Sequence, residues 1–447
     1  MLKSNAGSGK RTWQEKYRLA EPLIRQACAT SGTPGLAIGI FNHEGKIFDK
    51  HLGHRDVYQK LSSNPETVFN IGSMCKGFTA VAVACIVTDG KLHWDDCIEK
   101  FIDELHGTNI GHFTIRDLLS HRSGLSRSDA LFIGSDNQLL LSKAQGTSLL
   151  ASLDTDNPPR QDFIYNNSVI THSLLRGLTT SKKLESINLD YDNLHKIFEA
   201  TMPLKVATSL REQSYALGWA RTQLPNQVSE ITGNSGLLED YPRLGSYENG
   251  PLLFHHSGNN IGCSSSVYLM PELDIGIVVL GNSLGHCDAT DWACQILTET
   301  YLNHKTKIDF PFFFSSAASK GRSAMERVQD SLEREREPSE PPINLSVYKG
   351  FFWHASRQFY IQVLLNANGK LAMLLQGRNT EKYILRHYHR HTFLFNETFD
   401  QVVQRGQWCR PCWFYKIHFV WRDELVVALR WKIDDTQEEG CVFEKLD

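Results

Sequence analysis

The chain has 447 residues, and its 47 lysines and arginines are balanced by 50 aspartates and glutamates. Because these charges nearly cancel, no strong overall field favours nucleic acid or an anionic membrane as a partner. No apolar run approaches the roughly 20 residues of a membrane span, and the polar, basic residues 1–12 lack the apolar core of a secretory signal. The ten cysteines fit reduced thiols better than a disulfide framework. We therefore expect a cytoplasmic protein without a nucleic-acid or membrane partner.

The predicted elements begin with a helix. Residues 12–30 repeat apolar side chains with a helical period. Residues 36–53 then alternate in the manner of strands around an EG dipeptide, which predicts a hairpin. Helical patterns dominate from Ser73 to about residue 200. Residues 264–283 again have strand character, with a proline-containing turn in the middle of the segment.

This order of elements predicts an α+β protein with two domains. Strands at both ends of residues 12–305, with helices between them, indicate one mixed sheet built from both ends of the domain together with a helical region. Residues 306–342 become charge-dense and end in prolines, so we interpret them as a linker. Residues 343–447 are rich in aromatic and β-branched residues and frequent turn signals, which predicts a C-terminal antiparallel β-barrel or sandwich domain.

Ser73 and Lys76 are the strongest candidates for chemistry. A serine hydroxyl needs a base beside it and donors for the oxyanion that it creates. If a helix begins after Ser73, Lys76 lies one turn along the same face, within reach of the hydroxyl. The small and apolar residues 80–87 predict that this helix is buried, which would favour the neutral, basic form of the amine. A capping serine on an ordinary helix is the alternative interpretation.

Two further short motifs follow along the chain. Tyr165 and Asn167 lie in a predicted loop, where a phenol can relay a proton and an amide can orient a lysine. His256 and Gly258 precede a predicted strand, and the glycine would let the backbone approach a ligand closely. Taken singly, each motif is equally compatible with a structural role, as a cap beside a core tyrosine or as a turn before a strand.

Taken in order, SxxK (73–76), YxN (165–167) and HxG (256–258) resemble the serine β-lactamase-related and penicillin-binding-protein-like family. The resemblance is to the branch with class C β-lactamases, D-alanyl-D-alanine carboxypeptidases, esterases and fungal lovastatin-type acyltransferases. Residues 113–125, FTIRDLLSHRSGL, are also similar to a signature of this branch. The resemblance covers about residues 12–300 and implies a β-lactamase/transpeptidase-like fold. The last domain is similar to the β appendage of some members.

The resemblance implies a role for each motif residue. Ser73 would be the nucleophile, Lys76 would activate it, and Tyr165 would protonate the leaving group. The substrate would be bound with the help of residues from the second and third motifs: Asn167, His256, Gly258 and Asn259. The backbone N–H groups of Ser73 and Asn259 would form the oxyanion hole. Neither a metal nor an organic cofactor is implied.

The expected function is that of a serine hydrolase or acyltransferase working through a covalent acyl-enzyme. Its partner would be a small-molecule acyl substrate, namely an ester, thioester or amide of a small metabolite, in a pathway such as fungal secondary metabolism. The alternatives are a peptidase for short or D-amino-acid peptides and a non-catalytic scaffold that kept the fold. The interval of 91 residues from Tyr165 to His256 is shorter than the family pattern implies, so part of the acyl-pocket wall is expected to be missing.

Overall fold

The structure is a computed structural model that describes residues 11–153, 157–167, 188–204, 210–245, 250–302 and 308–446. Two compact units are interleaved along the chain. Unit one comprises Met1–Cys75, Leu204–Ser214 and Trp219–Arg322, and unit two comprises Lys76–Pro203, Tyr215–Gly218 and Ser323–Asp447. The predicted domains were consecutive stretches instead, and their boundaries at residues 305 and 342 stay a prediction.

The helices of the described residues are, in chain order, α1 (Trp13–Ser31), α2 (Cys75–Thr88), α3 (Ile115–Leu119), α4 (Asp129–Phe132), α5 (Lys143–Ala151), α6 (Tyr191–Ile197), α7 (Ala289–Leu302), α8 (Phe310–Arg322), α9 (Ala324–Arg334) and α10 (Phe399–Gln404). The first strands are β1 (Gly35–Asn42), β2 (Gly45–Asp56), β3 (Leu61–Ser62), β4 (Met202–Pro203), β5 (Gln213–Tyr215), β6 (Ala220–Gln223), β7 (Asn226–Gln227), β8 (Arg243–Leu244), β9 (Leu252–Asn260), β10 (Cys263–Met270) and β11 (Ile275–Gly281). The C-terminal strands are β12 (Gly350–His354), β13 (Tyr360–Leu365), β14 (Leu371–Leu375), β15 (Lys382–Ile384), β16 (Arg386–His389), β17 (Thr392–Leu394), β18 (Lys416–Arg422), β19 (Leu425–Trp431) and β20 (Cys441–Leu446).

Unit one is built on a sheet in which the strands follow the order β3-β2-β1-β11-β10-β9-β6-β5. Strand β1, from the start of the chain, pairs with β11, which lies more than 200 residues later; both this ladder and the β10–β9 ladder are antiparallel. Helices α1, α7 and α8 bury the sheet's apolar side chains in one core that includes Ile24, Ile38, Ile277, Trp292 and Phe314. The predicted sheet from both ends of the domain is therefore confirmed.

Local sequence signals explain the first elements of unit one. Thr12 and Glu15 form a reciprocal capping box, which satisfies backbone N–H groups at the start of α1. Gly32 ends the helix with a φ of 82°, a conformation that glycine adopts without a steric penalty. The predicted helix and the hairpin that follows it are confirmed.

The segment predicted as a linker is helical over much of its length. Helices α8 and α9 occupy residues 310–334, although the sequence suggested only a charged boundary. The reason is that α8 repeats apolar side chains at helical spacing, and Phe310, Phe314 and Ala317 are buried in the core of unit one. The prediction missed this stripe because the charged residues of α9 dominated the composition of the segment.

Unit two contains the helical region and the C-terminal β domain. The β domain has the strand order β15-β14-β13-β12-β20-β19-β18-β17-β16, and its described ladders are antiparallel. Its edge strands β15 and β16 are separated only by Leu385, so the sheet curls into a nearly closed barrel. Phenylalanines fill its interior, among them the buried Phe352, Phe359 and Phe419. The prediction of an antiparallel barrel or sandwich is thus confirmed as a barrel.

The chain therefore has the predicted α+β architecture, followed by the β-barrel domain. Within the ranges that the structure describes, no helix combines the length and apolar character needed to cross a membrane.

Candidate active site

Ser73 lies in a tight turn that leads directly into α2. Residues Gly72–Met74 form one turn of 3-10 helix, and the N–H of Cys75 donates to the carbonyls of Gly72 and Ser73. Gly72 has a φ of 50°, and a Cβ at this position would lie 2.9 Å from the backbone carbon of Gly258. The turn before Ser73 therefore requires a glycine both for its conformation and for its approach to β9.

The third motif lies on β9, against this turn. A Cβ on Gly258 would lie 1.9 Å from the carbonyl oxygen of Ile71, so no larger residue fits without moving the backbone. Ser265, on the neighbouring strand β10, donates its hydroxyl to the same Ile71 oxygen at 2.8 Å and to the Gly258 oxygen at 3.1 Å. Unit one thus brings the backbones of residues 71–73 and 258–259 together.

His256 is buried on β9, with 1% of its surface exposed. Its Nδ1 lies 2.7 Å from the carbonyl oxygen of Ser257. Because a carbonyl can only accept a hydrogen bond, Nδ1 carries a hydrogen, and in the neutral ring Nε2 is the acceptor. The ring is therefore held in one tautomer.

Lys76 and the second motif meet in unit two. Lys76 is 4% exposed, and its Nζ donates to Oδ1 of Asn167 at 2.9 Å and lies 4.7 Å from the centre of the Tyr165 ring. The predicted burial of α2 is confirmed at Lys76, Gly77, Ala80 and other positions. The structure therefore places two predicted site residues, Tyr165 and Asn167, against the amine of a third, Lys76, which lies 91 residues before Asn167 in sequence.

Tyr165 and Asn167 are each held by a further residue that sequence reasoning missed. The His121 ring packs on Tyr165 with ring centres 4.3 Å apart, and its Nδ1 accepts the backbone N–H of Asn166 at 3.1 Å. The amide Nδ2 of Asn167 donates to Asp129 at 3.0 Å. His121 belongs to the 113–125 signature, so the sequence contained a motif that could have identified it. Asp129 lies outside every motif that the sequence analysis recognised.

Asp117, in the same signature, is a buried carboxylate that links two loops. It is 0% exposed and accepts hydrogen bonds from Arg122 at 2.6 Å and from Arg160 at 2.8 Å. Burial would raise the pKa of Asp117, but the hydrogen bonds from Arg160, the Thr114 backbone and Arg122 outweigh it and lower the pKa to about 2. Arg122 follows His121, and Arg160 lies in the segment before Tyr165. Both segments are therefore linked through the Asp117 carboxylate.

A second buried acidic group lies behind β9 in unit one. Asp288 accepts the N–H and O–H of Thr290 at 2.9 and 2.6 Å. The Thr290 hydroxyl lies 3.0 Å from Ser266 Oγ, which in turn lies 2.8 Å from Ser257 Oγ. This chain of hydroxyl groups connects the start of α7 to the residue between His256 and Gly258.

Asp291, one helical turn after Asp288, is also buried. It accepts hydrogen bonds from the Tyr268 hydroxyl and from Asn234, both at 2.8 Å. Burial, followed by the negative charge of Asp288, raises the pKa of Asp291 to about 7, and burial also raises the pKa of Asp288. The native protein therefore keeps a proton here that the unfolded chain releases near pH 4.

We expect the free energy of unfolding to fall as the pH rises from about 4 to about 7, because the unfolded state then binds fewer protons than the native state. Asp288→Asn removes the neighbouring charge, so the loss of Tm between about pH 5 and about pH 8 should become smaller. Calorimetry at several pH values measures this effect. Glu239→Gln changes an exposed carboxylate of unit one and is the control. An unchanged pH dependence in Asp288→Asn would contradict the contribution of the Asp288 charge to the raised pKa of Asp291.

The chain also contains two short motifs with redox- or metal-like spacing, Cys409 with Cys412 and His387 with His389. Cys409 and Cys412 precede β18, and burial raises the pKa of both thiols, which disfavours a reactive thiolate. His387 and His389 lie on β16 of the barrel. In the described residues, no three histidine, cysteine or acidic side chains are grouped so that they could hold a metal ion.

The family profile described as "Beta-lactamase" matches residues 20–187, which include the turn at Ser73, Lys76, the 113–125 signature and the YxN motif. The chain carries a β-lactamase-family domain. This match agrees with the predicted fold and with the resemblance to serine β-lactamases and penicillin-binding-protein-like hydrolases.

Individual relatives are distant. A β-lactamase of Providencia stuartii is 26% identical over 228 residues, which are 50% of this chain and 55% of that protein. Protein flp of Staphylococcus aureus is 23% identical over 327 residues, which are 61% of this chain and 64% of that protein. The matches thus span between half and two thirds of these relatives. The octameric penicillin-binding protein homologue from Pyrococcus abyssi is 16% identical with a TM-score of 0.48, covering 96% of this chain and 99% of that one.

Proposed function

We propose that this β-lactamase-family protein is a serine hydrolase or acyltransferase that forms a covalent acyl-enzyme on Ser73. The observation that carries the proposal is the environment of Lys76. Its amine is buried at the start of α2, three residues after the serine, and is held by Asn167 and the Tyr165 ring. A lysine loses most of its hydration in such a position, and this favours a role as a base over that of a surface charge.

The backbone around Ser73 supports the second requirement, a site for the oxyanion. Ser73 follows the strained turn at Gly72, and the same turn packs on the backbone of Gly258 and Asn259. We assign the N–H groups of Ser73 and Asn259 as the two donors. Donors of this kind typically contribute about 100-fold or more to the rate each, because they stabilise charge that develops only in the transition state.

The proposed reaction has two steps. The hydroxyl oxygen of Ser73 attacks the carbonyl carbon of the substrate while its proton passes to Lys76. The tetrahedral intermediate collapses, the bond to the leaving group breaks, and Tyr165 returns a proton to that group. Lys76 passes the proton that it received to Tyr165. Water or an acceptor alcohol then attacks the acyl-enzyme carbonyl and loses its proton to the same basic groups. The ester bond to Ser73 breaks, and its oxygen takes that proton, which regenerates the hydroxyl. His256, the first residue of the third motif, is assigned to substrate binding.

The substrate that we favour is an ester or thioester of a small metabolite, in a pathway such as fungal secondary metabolism. The support is chemical: His256 stands where a lysine would better bind a substrate carboxylate, as antibiotic-type substrates would require. Whether water or an alcohol accepts the acyl group depends on how well the pocket excludes water. The candidate for the pocket wall, residues 178–200, lies partly outside the described residues, which resume at 188 in front of α6.

Labelling with a fluorophosphonate and with a penicillin-type probe tests the proposal directly. We expect one adduct per chain by intact mass, and peptide mapping should place it on Ser73. No adduct with either probe, under conditions that label a competent relative, would support the non-catalytic scaffold instead. Turnover of D-amino-acid peptides without turnover of p-nitrophenyl esters or thioesters would favour the peptidase.

A further inference from the structure

A buried carboxylate of the β barrel contacts the helical region of unit two. Asp434 lies in the loop between β19 and β20 and is 6% exposed. Its Oδ2 accepts the backbone N–H of Ser128 at 3.0 Å. Its Oδ1 accepts the N–H and O–H of Thr436 at 2.7 and 2.5 Å. Both oxygens are thus engaged, one within the barrel loop and the other across to the helical region.

The residue that Asp434 holds has an unfavourable backbone conformation. Ser128 precedes α4 with a φ of 43°, in the left-handed region that is sterically unfavourable for a non-glycine residue. Its hydroxyl lies 3.0 Å from that of Ser126, and both residues are buried. Because such a conformation persists only when neighbouring groups impose it, the hydrogen bond that the Ser128 N–H donates to Asp434 helps to define this turn.

The same turn holds the second motif. The carbonyl of Ser126 accepts the side-chain amide of Asn166 at 2.6 Å. Asp129, the residue after Ser128, accepts Nδ2 of Asn167 at 3.0 Å. With Nδ2 of Asn167 fixed in this way, its Oδ1 faces Lys76, to which it is bound at 2.9 Å. Two side chains of the second motif therefore depend on residues 126–129.

The barrel contacts the helical region at a second place, and that contact offers a comparison. Glu381 is 0% exposed and accepts the N–H of Ser135 at 2.8 Å and the Tyr383 hydroxyl at 2.9 Å. Arg378 donates to the carbonyls of Leu139 and Leu140. These contacts dock the barrel but do not reach Asn166 or Asn167, so docking and positioning are carried by different residues.

We propose that the barrel supplies a positioning residue for the reaction. Asp434 holds the turn at Ser128, the turn places Asp129, Asp129 orients the amide of Asn167, and that amide orients the amine of Lys76. The barrel is then part of the reaction machinery in addition to being an appendage. This inference rests on the proposed function, because it assigns a consequence for the activation of Ser73.

The experiment compares Asp434→Ala and Asp434→Asn with Asp435→Asn in the full chain. Asp435 is the neighbouring carboxylate, with 61% of its side chain exposed and Arg127 3.6 Å away. We expect Asp434→Ala to lower kcat for a p-nitrophenyl ester by about 10- to 100-fold with little change in KM, since misplacement of a catalytic group by about 1 Å costs on this order. Asp434→Asn keeps one oxygen acceptor and should recover part of the loss.

Hydrogen exchange separates this inference from the proposed function. Amides of residues 126–132 should exchange faster in Asp434→Ala than in Asp435→Asn, and this readout needs no activity. An inactive wild-type protein refutes the proposed function, and with it the consequence for Ser73. An active wild-type protein with Asp434→Ala equal to Asp435→Asn in kcat overturns the inference alone. Should Asp434→Ala fail to fold, equal kcat of Asp434→Asn and the wild type overturns it as well.

Discussion

Replacement of Ser73 by alanine is expected to lower p-nitrophenyl ester turnover by at least about 1,000-fold, since removal of a catalytic nucleophile leaves only the contribution of binding and the oxyanion site. The fluorophosphonate adduct should disappear at the same time. Stopped assays over long incubations, together with intact mass, measure both effects. The fold should be retained, because the side chain loses only a hydroxyl group.

The control for this variant is Ser62→Ala. Ser62 is an exposed serine of the short strand β3 in unit one, so its loss should leave turnover and labelling unchanged. Turnover that survives in Ser73→Ala at the wild-type rate would show that the nucleophile is another residue. An adduct on another serine in Ser73→Ala would show that the fluorophosphonate does not label Ser73 specifically.

Replacement of Asp117 by asparagine is expected to have the largest effect on stability, about 2–3 kcal/mol in the free energy of unfolding, because a buried carboxylate loses its charge-assisted hydrogen bonds from two arginines. The guanidinium groups of Arg122 and Arg160 would lose the negatively charged carboxylate to which both donate hydrogen bonds. Because the pKa of Asp117 is lowered to about 2, this stability is present above about pH 4 and is lost as the pH falls towards about 2. Urea denaturation at several pH values measures both.

Asp95→Asn provides the matched control for Asp117. Asp95 also binds an arginine, Arg116, at 2.8 Å, but 69% of its side chain is exposed. Exposed pairs of this kind contribute at most about 1 kcal/mol, so the variant should unfold at nearly the wild-type urea concentration. Equal losses of unfolding free energy in the two variants would show that the buried Asp117 stabilises the protein no more than an exposed carboxylate does.

Elements whose signals are local were predictable from the sequence. Helix α1 is specified by the capping box of Thr12 and Glu15 and by Gly32, which lie within 21 residues. The hairpin of β1 and β2 follows from alternation around Gly45. The helix in residues 310–322 was missed, because its apolar stripe is short and its partner surface lies in unit one, far away in sequence.

For the candidate site, sequence spacing identified the motif residues but not what holds them. The resemblance named Lys76, Tyr165 and Asn167, and the structure brings these three together. Asp129 is a single aspartate with no motif of its own, 38 residues from the asparagine that it binds. No local pattern could indicate it, since the contact arises only when two loops fold against each other.

The sequence by itself determined the resemblance, the order of the motifs and the antiparallel C-terminal β domain, because these depend on residue types at short, regular spacings. Only the tertiary structure decided that Lys76 is bound to Asn167, that Asp117 ties two loops, and that Asp434 reaches Ser128 over 306 residues. The physical reason is that a buried polar group must find its partners wherever the fold places them, and the chain distance between partners carries no signal.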